Sequence, residues 1–368
     1  MAKAEETVLE IDLKALGHNY TFLRSKIKPD TKFMAVVKAY AYGSDSVAIA
    51  TYLQNLGVDY FAVAYVNEGV TLREGGITAP ILVLHPQKTH FKTLIENNLE
   101  PSIYSKTILS DFIATAEEMG KTDYPIHLKF NTGLNRLGFS ADDLPEISSL
   151  INQQKAVQVI ALLSHLAATE DANETDFTNL QLTRFDAICK KVDALFTTKT
   201  LKHVLNTSGI INYPHAQYDM VRSGIGLYGY GNEPHIDAEL QPVMTLKTII
   251  SQKHTIPTGE SVGYNRKYKS DHKTITATLP LGHADGIGRE YGHGKTYVSI
   301  HGKLAPIIGN VCMDMIMVDV TNIECEEGDE VEIFGKNLSA NEFAETAQTI
   351  TYEILTGLSQ RIKRIIKN

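Results

Sequence analysis

No stretch of 18 apolar residues occurs in this chain, so no membrane-spanning helix is expected. The first residues, MAKAEETVLEIDL, lack the long apolar centre of a secretory signal, and a cytoplasmic protein with no membrane partner is the expectation. Cysteine is scarce. Cys189, Cys312 and Cys325 have no metal-site spacing, and their odd number argues against a disulfide framework. Basic charge is not in excess either: 35 Lys and Arg against 43 Asp and Glu give a formal charge of −8, which disfavours nucleic acid as a partner. The cluster Arg361, Lys363, Arg364 and Lys367 is spaced by Ile362, Ile365 and Ile366, and it reads as part of a terminal helix or strand. Low-complexity segments are missing too. What remains is an ordinary globular composition, 43% hydrophobic and 21% charged, in 368 residues that can bury two cores.

After residue 30, short apolar runs alternate with amphipathic segments. The runs 33–38, 60–65, 80–85, 101–104, 125–130, 157–165, 201–206 and 219–223 read as strands. Helical patterns lie between them at Ser46–Leu56, Asn67–Glu74, Lys88–Leu99, Thr107–Met119, Ala141–Gln153 and Phe177–Phe196, with Gly57 and Gly120 at expected helix ends. This repetition predicts an α/β fold, an N-terminal (β/α)8 barrel of the TIM type, over residues 13–240. From residue 241 to 368 the pattern is mainly β. Val243–Ser251, Lys273–Leu281, Lys295–His301, Ala305–Val320 and Glu330–Phe334 read as strands, with a helix at Ala340–Gln348. The alternating stretch within residues 1–12 is expected to join that β domain.

Lys38 stands at the polar end of Phe33-Met-Ala-Val-Val-Lys38. A lysine there either reaches solvent or holds its amine in a pocket. Desolvation lowers an amine pKa, and a neutral amine can attack an aldehyde, which suits a lysine that holds pyridoxal phosphate (PLP). In a barrel, the C-terminal ends of the strands converge on one mouth. Lys129, His165, Asn206 and Arg222 end other predicted strands, so they are expected at the same mouth as Lys38. Gly224-Ile-Gly-Leu-Tyr-Gly229 matches a dinucleotide-binding pattern literally, but Tyr230-Gly-Asn-Glu-Pro234 does not open a helix, so a nicotinamide site is not expected.

Several segments, taken in order, resemble the PLP-dependent alanine racemases. They are Val37-Lys-Ala-Tyr-Ala-Tyr-Gly43, His127-Leu-Lys-Phe-Asn-Thr-Gly133 with Arg136-Leu-Gly-Phe139, Ser164-His-Leu-Ala167, His203-Val-Leu-Asn-Thr207, Asp219-Met-Val-Arg-Ser-Gly-Ile225, Gly282-His-Ala-Asp-Gly286, Gly309-Asn-Val-Cys-Met-Asp314 and Thr351-Tyr-Glu-Ile-Leu355. The resemblance implies that Lys38 carries PLP and is one of two bases. It places the phosphate with Tyr42, Thr207, Tyr352 and the amides of Gly224 and Ile225, and the ring with Asn206, His165 and Arg222. It assigns the substrate carboxylate to Arg136 and Met313, and it allows a carbamylated Lys129. It also implies a homodimer with shared active sites, acting on alanine to supply D-alanine for peptidoglycan. Smaller departures from the family pattern are Tyr40, Ser44 and Asp45 in the loop after the lysine, Asn131 for a common aspartate and Asn310 for a common arginine, and one position departs seriously. Where the family has a tyrosine in Gly-Tyr-Ala-Asp-Gly, this chain has His283, which is then expected to be the second base. That departure keeps two other readings open: a racemase of other or broader amino acids, and a PLP-binding protein with weak or no racemase activity.

Overall fold

Short runs of branched and aromatic residues close a parallel barrel, and a second unit is built around a mixed sheet. The structure, a computed structural model, describes residues 6–196 and 198–368. The targeting-signal reading of residues 1–5 lies outside them. One unit comprises Gly17–Ala41 and Ser46–Gln241; the other comprises residues 6–16, Tyr42–Asp45 and Pro242–Asn368.

The first strand is β1 (Val8–Asp12), and the barrel strands follow: β2 (Lys32–Val36), β3 (Tyr60–Val63), β4 (Ile81–Val83), β5 (Glu100–Ile103), β6 (Tyr124–Lys129), β7 (Val157–Leu163), β8 (Leu201–His203) and β9 (Met220–Ser223). Each of β2 to β9 pairs in parallel with the next, and β9 returns to β2 with Lys32 opposite Met220, so the barrel closes. The strands read as continuous apolar runs because helices cover them outside and side chains fill them inside. Tyr60–Val63 and Met220–Ser223 are buried at every position. Helices such as Ser46–Asn55, Val66–Glu74, Lys106–Glu118 and Thr175–Leu195 follow the strands on the outside. Ser105 starts one of them by accepting a hydrogen bond from Ile108 N at 3.3 Å, an ordinary N-cap.

In the second unit, β1 lies between Met244–Ile249, antiparallel, and Lys363–Lys367, parallel, within a nine-stranded sheet. The C-terminal basic segment is therefore a strand. The expected strand over 305–320 is interrupted. It divides into Lys303–Ile308 and Ile316–Asp319, because Gly309 takes φ +67° and Cys312 N donates to Met315 O at 2.9 Å, turning the chain outward. A second short helix, Thr351–Gly357, follows the expected one, which runs Ala340–Thr346.

Candidate active site

Strand β2 stops at Val36, two residues before Lys38. Lys38 instead opens a tight helical turn, Lys38–Gly43, of the wrong hand. Ala39, Tyr40, Ala41 and Tyr42 have φ of +53°, +55°, +51° and +57°. L-residues resist this conformation by about 1–2 kcal/mol each, so the turn stores on the order of 4–8 kcal/mol. Glu68, in the first turn of Val66–Glu74, holds its beginning. Its Oε1 accepts from Ala39 N at 2.6 Å, and its Oε2 accepts from Ala64 N at 2.6 Å and Tyr65 N at 3.1 Å. Gly43 ends the turn at φ +84°, where a Cβ would lie 1.9 Å from Leu355 O. A cavity of about 520 Å³ lies beside the turn, lined by residues including Val37, Tyr40, Tyr65, Glu68 and His85.

Around Lys38 the barrel gathers cations. Burial, then the Arg136 charge, lowers the Lys38 pKa, and Glu68 opposes the shift. Lys129, the last residue of β6, is 7% exposed, and burial together with Arg136, Arg222 and Lys38 brings its amine down to about 8. Among the described residues, neither amine has an ion-pair or hydrogen-bond partner. Arg136 rides on the loop 131–138, pinched at its base by Phe139 N donating to Lys129 O at 2.8 Å and Asn131 N donating to Phe139 O at 2.9 Å. Asn131 Oδ1 organises that loop by accepting from Gly133 N and Asn135 N. Such a mouth attracts dianions and carboxylates.

Arg222 is buried below these groups. Its Nη1 donates to His203 Nδ1 at 2.7 Å and His203 O at 3.0 Å. Its Nη2 donates to Ser164 O at 2.7 Å, with Val204 O at 3.1 Å and His165 Nδ1 at 3.2 Å sharing the remaining hydrogen. Among the described residues, Nε–H is the one guanidinium donor left without an acceptor. Burial lowers the arginine to about 10, still a cation at neutral pH. His165 and His203 lie well below the usual histidine range, through burial first and the Arg222 charge second, so both are neutral. Close by, Asn206 Oδ1 accepts from Gly209 N at 2.9 Å and Thr169 Oγ1 at 2.7 Å. Thr207 Oγ1 pairs with Ser223 Oγ at 2.9 Å and accepts from Gly226 N at 3.3 Å, just beyond the buried Gly224 and Ile225.

The remaining expected site residues lie in the second unit. Tyr42 and Tyr352 face each other with ring centroids 6.0 Å apart. His283 and Met313 are both exposed and share one backbone framework: His283 N donates to Cys312 O, and Ala284 N to Met313 O, each at 3.0 Å. Arg361 ties that framework down, donating to Asp285 Oδ1 at 2.7 Å and Asp314 Oδ1 at 2.6 Å. Two further residues, not singled out by the sequence, stand out beside these segments. Glu68 is one. Tyr264 is the other. It is 69% exposed, on a turn where Gly263, Asn265 and Arg266 take φ of +73°, +56° and +52°, and its carbonyl accepts from Asn310 Nδ2 at 2.9 Å. The signal that could have found it is a Gly-Tyr-Asn triplet, an aromatic placed on a left-handed turn.

A closed parallel barrel that sets Lys38 and Lys129 beside Arg136 and Arg222 defines a (β/α)8-barrel protein with a cationic mouth. Sequence profiles then extend the match over both units. The alanine racemase N-terminal domain matches residues 11–232 and the alanine racemase C-terminal domain matches 243–366. An alanine racemase of Methanococcus maripaludis is 35% identical over 370 aligned positions, covering 97% of each chain. The alanine racemase structure from Clostridium difficile 630 superposes with a TM-score of 0.92 at 32% identity, over 99% of this chain and 96% of that one. That from Bartonella henselae, described with covalently bound pyridoxal phosphate, superposes with a TM-score of 0.88 at 29% identity, over 99% and 100%. The chain belongs to the alanine racemase family.

Proposed function

We propose that this protein interconverts L- and D-alanine with PLP held at the barrel mouth, supplying D-alanine for peptidoglycan. The observation that carries the reading is the pairing of a Lys38 amine, lowered in pKa and without a partner among the described residues, with a buried Arg222 whose Nε–H is its one donor without an acceptor among those residues. An aldehyde cofactor with a ring nitrogen acceptor and a phosphate dianion satisfies both groups and the surrounding positive charge. Bound there, PLP supplies the electron sink that makes an α-proton removable. Lys38 holds the group and moves the proton at its Nζ on one face of the substrate. Arg222 would present its Nε–H toward the ring nitrogen, and because the guanidinium keeps its own proton at neutral pH it would leave that nitrogen unprotonated and moderate the electron sink. His165 and Asn206 support the ring. Thr207 and the amides of Gly224 and Ile225 bind the phosphate, as do the hydroxyls of Tyr42 and Tyr352. Arg136 and the Met313 amide take the substrate carboxylate. The partly neutral Lys129 amine can add carbon dioxide, forming an N–C bond and losing a proton; the resulting anion orients Arg136.

Racemisation also needs a proton carrier on the opposite face. His283 and Tyr264 are both exposed on the second unit, and a homodimer would present them to the barrel of a second copy. His283 can carry the proton near neutral pH without a large shift. The left-handed turn that projects Tyr264, and its tether to the segment bearing Met313, favours the phenol. Tyr264→Phe and His283→Ala distinguish them: loss of the base abolishes racemisation both ways, but leaves Lys38 able to exchange the α-hydrogen of one enantiomer with deuterated water. The test of the whole reading is to incubate PLP-loaded protein separately with L-alanine, L-serine and L-lysine, and to assay each D-isomer by chiral chromatography. D-alanine is expected as the dominant product. No D-isomer from alanine would overturn the assignment, and D-serine or D-lysine at equal rates would make it a broader racemase.

A further inference from the structure

Below Arg222, two histidines and a carboxylate continue the chain of hydrogen bonds into the barrel. His203 Nε2 lies 3.3 Å from His127 Nδ1, their rings edge to face with centroids 5.5 Å apart. His127 Nε2 lies 2.7 Å from Glu100 Oε2. His127 and His203 are fully buried, and the Glu100 side chain is only 12% exposed. Glu100 is the first residue of β5, so it lies at the end of its strand opposite the mouth. Tyr60 hydrogen-bonds to the same carboxylate, and Arg73 and Tyr124 lie within electrostatic range of it.

Hydrogen accounting leaves one arrangement. Arg222 has no acceptor atom, so it must donate to His203 Nδ1. A neutral His203 then carries its hydrogen on Nε2 and donates to His127 Nδ1. That leaves the His127 hydrogen on Nε2, donating to Glu100. Every donor points the same way, from a buried cation at one end to a carboxylate at the other. Aligned bonds in a low-dielectric interior polarise one another.

We propose that Glu100, acting through His127 and His203, is a positioning residue for the barrel site: the carboxylate makes His203 a stronger acceptor, which anchors Arg222 and sets how strongly its free Nε–H donates. The inference rests on the reading above in one respect, that Arg222 Nε faces the cofactor ring. Removing the acceptor leaves a conflict. Either His127 keeps a buried, orphaned N–H, or it reverses its tautomer, and His203 must then present a hydrogen to Arg222.

The test uses the full-length chain with ¹⁵N-labelled histidine, before and after loading with PLP. In the wild type, both histidines should report a protonated Nε2 and a bare Nδ1, with a strongly downfield N–H signal for His127 bonded to the carboxylate. Glu100→Leu should abolish that signal and disturb the His203 pair. In the holoenzyme it should lower kcat about tenfold, with KM for alanine changed less than about twofold, and it should shift the visible absorption band of the bound cofactor. Glu100→Gln retains an acceptor oxygen without the charge. It should keep both tautomers, move the His127 N–H signal upfield and lower kcat by less than Glu100→Leu. A purely structural role would reduce thermal stability and the active fraction, but leave the absorption band of the folded fraction in place. Wild-type kcat and an unmoved band in Glu100→Leu would overturn the proposal. If that variant does not fold, an unmoved signal and unchanged kcat in Glu100→Gln would do the same. A wild-type protein that does not take up PLP would sink the racemase reading instead, while the tautomer pattern still decides whether the relay exists.

Discussion

Glu68→Ala should unseat Lys38 without touching it. The turn that follows Lys38 holds Ala39, Tyr40, Ala41 and Tyr42 in the left-handed region, at an intrinsic cost on the order of 4–8 kcal/mol. The Glu68 carboxylate opposes that cost with one short bond to Ala39 N, and it fixes the neighbouring loop with two more, to Ala64 N and Tyr65 N. A hydrogen bond to a charged acceptor contributes about 1.5–3 kcal/mol. Tyr65 is 56% exposed, so water can replace its bond in part. The expected loss is therefore about 3 kcal/mol, or a fall of roughly 6–12 °C in the melting temperature of the barrel. Differential scanning calorimetry measures the stability. Borohydride reduction with PLP, followed by peptide mapping, measures how much pyridoxyl label Lys38 acquires, which should drop with it. A second substitution separates strain from simple bond loss. Glycine tolerates positive φ, so Ala39→Gly in the Glu68→Ala background should restore part of the labelling, although Ala→Gly in a right-handed helix costs about 1 kcal/mol. The argument fails if Glu68→Ala melts within a degree or two of wild type and labels fully. It also fails if Ala39→Gly is equally destabilising in both backgrounds, because the cycle would then show no coupling.

Gly43→Ala should be severely destabilising, since the new Cβ would lie 1.9 Å from Leu355 O at φ +84°; thermal melting of the soluble fraction checks it. Arg222→Lys keeps the charge but cannot serve His203 Nδ1 and the carbonyls of Ser164, His203 and Val204 together, so a loss of about 3–6 kcal/mol and weaker PLP retention are expected, read by urea unfolding and equilibrium dialysis. Lys129 gives a pH signature: its folded-state pKa of about 8 lies below the ordinary 10.5, so between those values the unfolded chain binds a proton that the folded chain does not. Stability from this group is therefore lowest below pH 8 and rises across that window, and Lys129→Met should flatten the rise in urea titrations at pH 7 and pH 10 without bicarbonate. If the proposed homodimer shares its sites, mixing a Lys38→Ala chain with a Tyr264→Phe, His283→Ala chain should restore some activity, because a hybrid dimer would regenerate one intact site; no recovery after verified subunit exchange counts against sharing.

The amino-acid order alone specified the two architectures. Periodicity records burial, and burial is what decides strand against helix, so the repeated βα units and the β-rich second half are legible in the residue order. Strand-end reasoning also nominated Lys38, Lys129, His165, Asn206 and Arg222 for one mouth, because a polar residue closing an apolar run has few places to go; Lys129 does end β6 and Arg222 lies within β9, but Lys38, His165 and Asn206 fall two or three residues beyond the ends of β2, β7 and β8. Tertiary structure decided the rest. Nothing in Lys-Ala-Tyr-Ala-Tyr-Gly announces a left-handed turn, because its stabilising partner, Glu68, lies 29 residues beyond Ala39. Glu100, His127, His203 and Arg222 are separated by 27, 76 and 19 positions, and only barrel closure brings them into line. An interruption of Ala305–Val320 exposes Met313, and a carbonyl held by Asn310 from 46 positions away positions Tyr264. Polar pairing depends on through-space distance, which chain periodicity does not encode.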